Sequence, residues 1–153
     1  MLEVILRRFE DPDEVRQFEK GKFEIVTIGG MTIGRATYQP GWRWSEHASP
    51  DGSPFCGVEH IGLVLSGRAT AAMKDGEVHE LAAGTIFYVP PEPHDSWVLG
   101  DEVYVSLHFL GADKYTTKSE PEGLRDRSRP FRSWSPQTEI VLEAHAIRDP
   151  LAV

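Results

Sequence analysis

Turn signals recur about every six to ten residues across the middle of this chain, and that spacing limits what it can fold into more than any other feature. Gly29-Gly30, Gln39-Pro40-Gly41, Asp51-Gly52, Ser66-Gly67, Asp75-Gly76, Ala83-Gly84 and Gly100-Asp101 each supply residues that accept the backbone angles of a tight turn. Between them lie short runs rich in β-branched and aromatic residues: Lys22–Ile28, Thr32–Tyr38, Val58–Leu65, Arg68–Met73, Glu77–Leu81, Thr85–Val89, Asp95–Leu99 and Glu102–Phe109. Runs of this length cannot hold helices of ordinary size, but they suit strands. Many short strands with close turns argue for an all-β sandwich or jelly-roll barrel. One short helix is expected ahead of them, because Asp11 can cap it, Pro12 fits its first position, Asp13 and Glu14 suit its positive end, and Gly21 stops it.

The chain has 153 residues, which places a barrel and its N-terminal helix at residues 1–111, with a core over 22–109, and leaves 112–153 as a polar arm. That arm carries Pro121, Pro130 and Pro136, a cluster of Arg125, Arg127, Arg129 and Arg132, and an apolar run from Glu139 to Ile147 able to dock. The arginines read as a solvated tail that balances an acidic body. A net charge of −8 sets the surface against polyanions, so neither nucleic acid nor an anionic membrane is an expected partner. With one cysteine, Cys56, no intramolecular disulfide can form, and no export signal or membrane span is visible. A cytoplasmic location is the expectation.

The residues able to do chemistry sit at the ends of the expected strands. His47 closes the segment Gly41-Trp-Arg-Trp-Ser-Glu-His47, His60 opens the run to Leu65, and His94 opens the run to Leu99. Neutral imidazole is a borderline ligand for Zn, Fe, Ni, Mn and Cu, and three of them on neighbouring strands form one face of a coordination sphere. Cys56 could add a thiolate, but a free cysteine is more often a small buried hydrophobe. In Val103-Tyr-Val-Ser-Leu-His-Phe109 the apolar residues share one face and His108 shares the other with Tyr104 and Ser106. If that polar face points inward, His108 is a further ligand; if outward, it meets solvent. Trp42, Trp44, Arg43 and Tyr88 are candidates for the wall of a substrate pocket, with core packing as the alternative for the aromatics. Asp95 could orient the neighbouring imidazole, while His79 and His145 have no motif to support them.

Two blocks of these residues resemble the cupins, in particular the small single-domain cupins with a double-stranded β-helix (jelly-roll) barrel. The family's first motif opens with Gly, five residues and His, as Gly41 to His47 does, and closes on a glycine matched by Gly67. Its second motif, Gly, five residues, Pro, is matched by Gly84 to Pro90, followed by Pro91-Glu-Pro-His94. The departures lie in the ligands. His60 stands six residues before Gly67, where the family has a metal-binding Glu, and Cys56 stands at its second histidine. Residues 48–55 are an insertion, Glu92 replaces a glycine, His94 comes one residue early, and Val98 stands where the family has Asn.

The resemblance implies a divalent metal (Fe, Zn, Mn or Ni) on His47, His60 and His94, with Cys56 or His108 as a fourth ligand. It implies action on a small organic molecule, dioxygenase-like or isomerase-like, and assembly as a homodimer. The rival expectation is a non-enzymatic barrel that binds or senses a small ligand.

Overall fold

The computed structural model describes residues 3–116, and the polar arm lies outside them from residue 117 onward. Ten strands form two antiparallel sheets: β1 (Glu14–Phe18), β2 (Gly21–Ile28), β3 (Met31–Tyr38), β4 (His60–Ser66), β5 (Arg68–Met73), β6 (Val78–Ala82), β7 (Ile86–Val89), β8 (His94–Asp95), β9 (Val98–Leu99) and β10 (Tyr104–Leu110). The larger sheet runs β1-β2-β3-β10-β4-β7, and the smaller runs β6-β5-β8 with β9 also paired to β5. No helix of the described residues is long and apolar enough to cross a membrane.

The expected strands appear within two residues of their bounds, except that Asp95–Leu99 is split between β8 and β9 around Ser96 and Trp97. Alternation explains why they form. In β7 Phe87 and Val89 are buried while Ile86 and Tyr88 are exposed, the signature of a sheet with one face on a core. Gly67 makes the turn that carries the chain from the large sheet to the small one. Its φ is +69°, and a Cβ there would lie 2.6 Å from the Val103 carbonyl oxygen, so only glycine fits.

The expected N-terminal helix is not formed; the same residues make strand β1. The cap signal around Asp13 is used differently. Its Oδ2 accepts the Thr27 N–H at 2.7 Å and its backbone N–H donates to Ile25 O at 2.8 Å, so Asp13 starts a hairpin ladder with β2. Five register pairs, Glu14↔Ile25 to Phe18↔Gly21, then satisfy the backbone that a lone helix would have satisfied internally. Sheet pairing outweighs a weak local preference.

The core lies between the sheets. Phe23, Ala36, Val64 and Ala69 are at most 1% exposed, and Tyr38, Tyr104 and Phe87 pack with them. It extends past the last strand: Ala112 and Tyr115 are buried, and the Tyr38 and Tyr115 hydroxyls are 2.7 Å apart. Arg16 of β1 holds this segment by donating to the carbonyls of Tyr115, Ala112 and Asp113. The final turn of the barrel is thus fixed by the strand expected to be a helix.

Candidate metal centre

Strand β10 resolves the two readings of its alternating faces. Tyr104, Ser106 and His108 are its buried face, while Val105 and Leu107 are half-buried and Phe109 is exposed. His108 therefore points into the barrel, and there it meets His60 at a ring-centroid distance of 5.6 Å. His60 begins β4, the strand beside β10, and pairs with Val89 of β7. His94 enters from the other sheet, on β8, with its ring 5.4 Å from that of His60. Cys56 reaches the same point because it forms a two-bond bridge with His94, N–H to O in both directions at 2.7 and 3.0 Å.

Cys56, His60 and His94 offer ligand atoms that all lie within 4.8 Å of one another, and all three residues are buried. Cys56 Sγ is 3.7 Å from His60 Nε2. His94 Nδ1 lies 2.7 Å from the Glu92 carbonyl oxygen, so Nδ1 carries the proton and the Nε2 lone pair is left for another partner. A ring N–H tied to a backbone carbonyl is the usual support of a metal-ligating histidine. His60 Nδ1 and His108 Nδ1 are buried with no partner, a costly arrangement for polar atoms that nothing else occupies.

Burial sets the protonation of the group. It pushes His60 well below the ordinary imidazole value, with His108 and His94 adding to the effect. It lowers His94 against the Glu92 carbonyl, which acts the other way, and lowers His108 to about 4. All three are neutral imidazoles near pH 7, the form that binds metals. Burial also lifts the Cys56 thiol to about 11, so a thiolate there needs a cation beside it. One thiol, two neutral imidazoles and an orphaned nitrogen fit a borderline divalent ion such as Zn or Fe(II) better than a hard ion such as Mg, which prefers oxygen.

These side chains close the floor of a cavity with about 50 Å³ open to the centres of water molecules, space for roughly four of them. Its walls are aromatic and aliphatic. Trp42 and Trp44 face it because residues 42–44 pair with 96–98: Trp44 N–H donates to Ser96 O at 2.8 Å and Val98 N–H to Trp42 O at 3.0 Å. Trp42 lies flat on Tyr38, centroids 3.7 Å apart and planes 8° from parallel. β5, which pairs with β9, adds Ala71 to the lining.

The remaining candidates are placed elsewhere. His47 sits in a single π-type turn, Trp44–Ala48, and its Nδ1 takes the Arg43 N–H at 2.9 Å; it does not line the cavity and is not in the cluster. The side chain found beside His60 and His94 is Cys56. Arg43 turns away from the cavity to Asp95 Oδ2, 2.7 Å from its Nε, and lies 4.7 Å over the Trp97 ring. Asp95 is buried and also accepts the Ser45 N–H and hydroxyl, so it anchors the π-type turn to β8. Tyr88 is on the outer face, 58% exposed, donating to Glu59 Oε1 at 2.9 Å. His79 is exposed beside Glu77 on the smaller sheet, and His145 lies outside the described residues. Tyr115 was missed: it follows the last strand, and its ring centroid is 5.5 Å from that of His60.

No protein-family model and no curated protein matches the sequence. Solved structures do match it. A protein of unknown function from Rhizobium leguminosarum bv. viciae is 22% identical, with a TM-score of 0.51, over 70% of this chain and 95% of its own. HppE in its apo form is 13% identical at a TM-score of 0.51, over 70% of this chain and 58% of that one. An oxalate decarboxylase from Lactobacillus farciminis, solved as its formate complex, is 18% identical at a TM-score of 0.48, over 64% of this chain and 30% of that one. For the two at a TM-score of 0.51 the likeness is one of fold, and it agrees with the two motif blocks and the strand order: the chain has the cupin fold.

Proposed function

We propose that this barrel is a metal-binding cupin that takes up a small organic molecule, with a divalent ion on Cys56, His60 and His94. The observation that carries the reading is the mutual approach of three buried ligand atoms within 4.8 Å, beside His94 Nδ1 already committed to the Glu92 carbonyl. His108, on the adjacent strand with its ring 5.6 Å from that of His60, offers a further nitrogen. Its Nε2 is 3.1 Å from Ser106 Oγ and its Nδ1 is free for the metal's own ligand or for the substrate.

A bound divalent ion would supply a Lewis acid able to polarise a carbonyl or acidify a coordinated hydroxyl. The chain's own residues do the rest. Trp42, Trp44, Phe87 and Val89 exclude bulk water, Tyr38 and Tyr115 close the space with paired hydroxyls, and His108 offers a neutral hydrogen-bonding nitrogen. Dioxygenase-like and isomerase-like chemistry both use such a site, and cupins that perform either are what the motif blocks resemble. A second reading, a binding or sensing barrel without turnover, is favoured by one observation. Burial drives the cavity's imidazoles below neutrality and its phenols and thiol above it, so no group is poised to exchange a proton near pH 7.

The test is elemental analysis of untagged protein beside its Cys56→Ser, His60→Ala, His94→Ala and His47→Ala variants. The proposal expects close to one ion per chain in the parent and in His47→Ala, and loss in the other three. Metal that survives in those three, or that needs His47, would overturn this ligand set.

A homodimer is part of the same reading. The outer face of β10-β4-β7 aligns Leu107, Leu63 and Ile86 across three strands, with Ile61 beside Tyr88. Ile86 is 75% exposed on the strand that ends the sheet, and a second copy would cover both that face and that edge.

A further inference from the structure

A divalent ion on Cys56, His60 and His94 carries a charge that the chain does not balance. Metals bind thiols and imidazoles in their deprotonated forms, so the ion meets one thiolate and two neutral imidazoles, and one positive charge is left over. The rest of the lining adds no charge of either sign. It holds no Lys, Arg, Asp or Glu among the described residues, and burial keeps its three phenols protonated and His108 neutral. Asp95 follows His94 in sequence, but its carboxylate is already paired, 2.7 Å from Arg43 Nε. Elsewhere the chain neutralises what it buries: Glu24, 4% exposed, lies 2.9 Å from Lys22 Nζ and 2.8 Å from Arg35 Nε. A buried charge without a counter-ion costs far more than a paired one.

We propose that the cavity takes a compact monoanion with oxygen donors, a small monocarboxylate, in preference to a neutral amide of the same shape and to the matching dicarboxylate. This deepens the reading of the cavity as a substrate site at a metal, and rests on that reading. A monocarboxylate brings the missing negative charge. An amide leaves the positive charge unanswered, and a dicarboxylate replaces it with a negative one. Trp44, Leu81, Phe87 and Val89 wall the space with apolar surface, so charges inside are weakly screened and their balance decides what enters. Selection of this kind works through net charge and needs no donor aimed at the ligand. The cavity also sets the size: about 50 Å³ open to the centres of water molecules holds roughly four of them, and the ion takes part of that, which leaves room for roughly a two- or three-carbon acid.

The experiment uses malonamide, malonamate and malonate, which share one shape and carry no charge, one negative charge and two. Each is titrated into full-length protein loaded with cobalt(II) and into chelated protein. Calorimetry reads the affinity, and the visible cobalt bands report thiolate ligation and any change among the ion's ligands. A free divalent ion binds the three more tightly with each added charge. The loaded protein is expected to break that order, binding malonamate at least about tenfold more tightly than either neighbour, with a saturable shift of the cobalt bands. Chelated protein should bind none of them. Affinity that rises steadily with charge, affinity that ignores charge, or equal binding of malonamate after chelation would overturn the inference. The two readings fail separately: protein that keeps cobalt but follows the free-ion order loses this inference and retains the metal centre, whereas protein that takes up no cobalt loses both.

Discussion

Cys56 and His94 are bonded to each other through their backbones, N–H to carbonyl in both directions, so the thiol and one imidazole of the proposed centre are held together by main chain. This makes the site preformed on one side. His60 and His108 complete it from the opposite sheet, each placed by strand register.

Asp95 should matter to that preformed half. It accepts hydrogen bonds from Arg43, Ser45 and Ser96 while almost fully buried. Asp95→Ala leaves the Ser45 and Ser96 N–H groups unanswered and is expected to cost about 2–4 kcal/mol. Arg43→Met, at a half-exposed position, should cost under about 1 kcal/mol. Urea denaturation checks both, and equal losses would contradict this account of the anchor.

The last turn of the barrel gives a second prediction. Tyr115→Ala removes a buried ring whose hydroxyl meets that of Tyr38, keeps the backbone carbonyl that Arg16 holds, and should cost about 3–5 kcal/mol. Truncation after Thr116 should leave a cooperatively melting barrel, whereas truncation after Leu110 should not. A barrel indifferent to Tyr115 would show that its core ends at Phe109, as strand count alone suggests.

Stability of the metal-free protein should fall with acid. His108 is held at about 4 by burial, below the ordinary 6.5, and His60 moves in the same direction. The folded state therefore resists their protonation. Their contribution is complete above pH 6.5, is lost as pH falls from there, and for His108 levels off below about 4. For His108 alone this is on the order of 3 kcal/mol. Urea midpoints of chelated protein between pH 7.5 and 4 should show the loss, and His108→Gln should flatten it. An unchanged slope in that variant would show His108 to be solvated.

Self-association is tested at the outer face. Sedimentation equilibrium at micromolar concentration should give about twice the 17.1 kDa chain mass. Ile86→Lys should give a cooperatively folded monomer whose melting temperature, unlike that of the parent, does not rise with protein concentration. A monomeric parent protein would remove the dimer from the account.

Much of the barrel is legible in the sequence because turns and alternation are local signals. Gly67 and Gly84 mark real corners, and strands such as Thr32–Tyr38 fall where their side chains suggest. The helix expected from Asp11-Pro12 fails because Asp13 finds Thr27, fourteen residues away, and no local rule contains that partner. The cluster is legible in part. The motif blocks single out His60 and His94, and counting back from Gly67 singles out Cys56; the three side chains do lie together, and Cys56 is buried as composition suggests. His47, placed with them by the motif's opening, lies instead in the π-type turn Trp44–Ala48 and does not line the cavity, a displacement that accompanies the inserted segment 48–55. His108 is ambiguous from sequence because alternation gives two faces without saying which is inside; the burial of Tyr104 and Ser106 decides it.

The central claim, a metal held by one sulfur and two imidazoles, is tested most directly by X-ray absorption at the metal edge of protein loaded with Zn or Fe(II). The account predicts a single sulfur at about 2.3 Å with nitrogen neighbours at about 2.0–2.1 Å, and loss of the sulfur shell in Cys56→Ser. A shell of nitrogen and oxygen alone in the parent protein would contradict it.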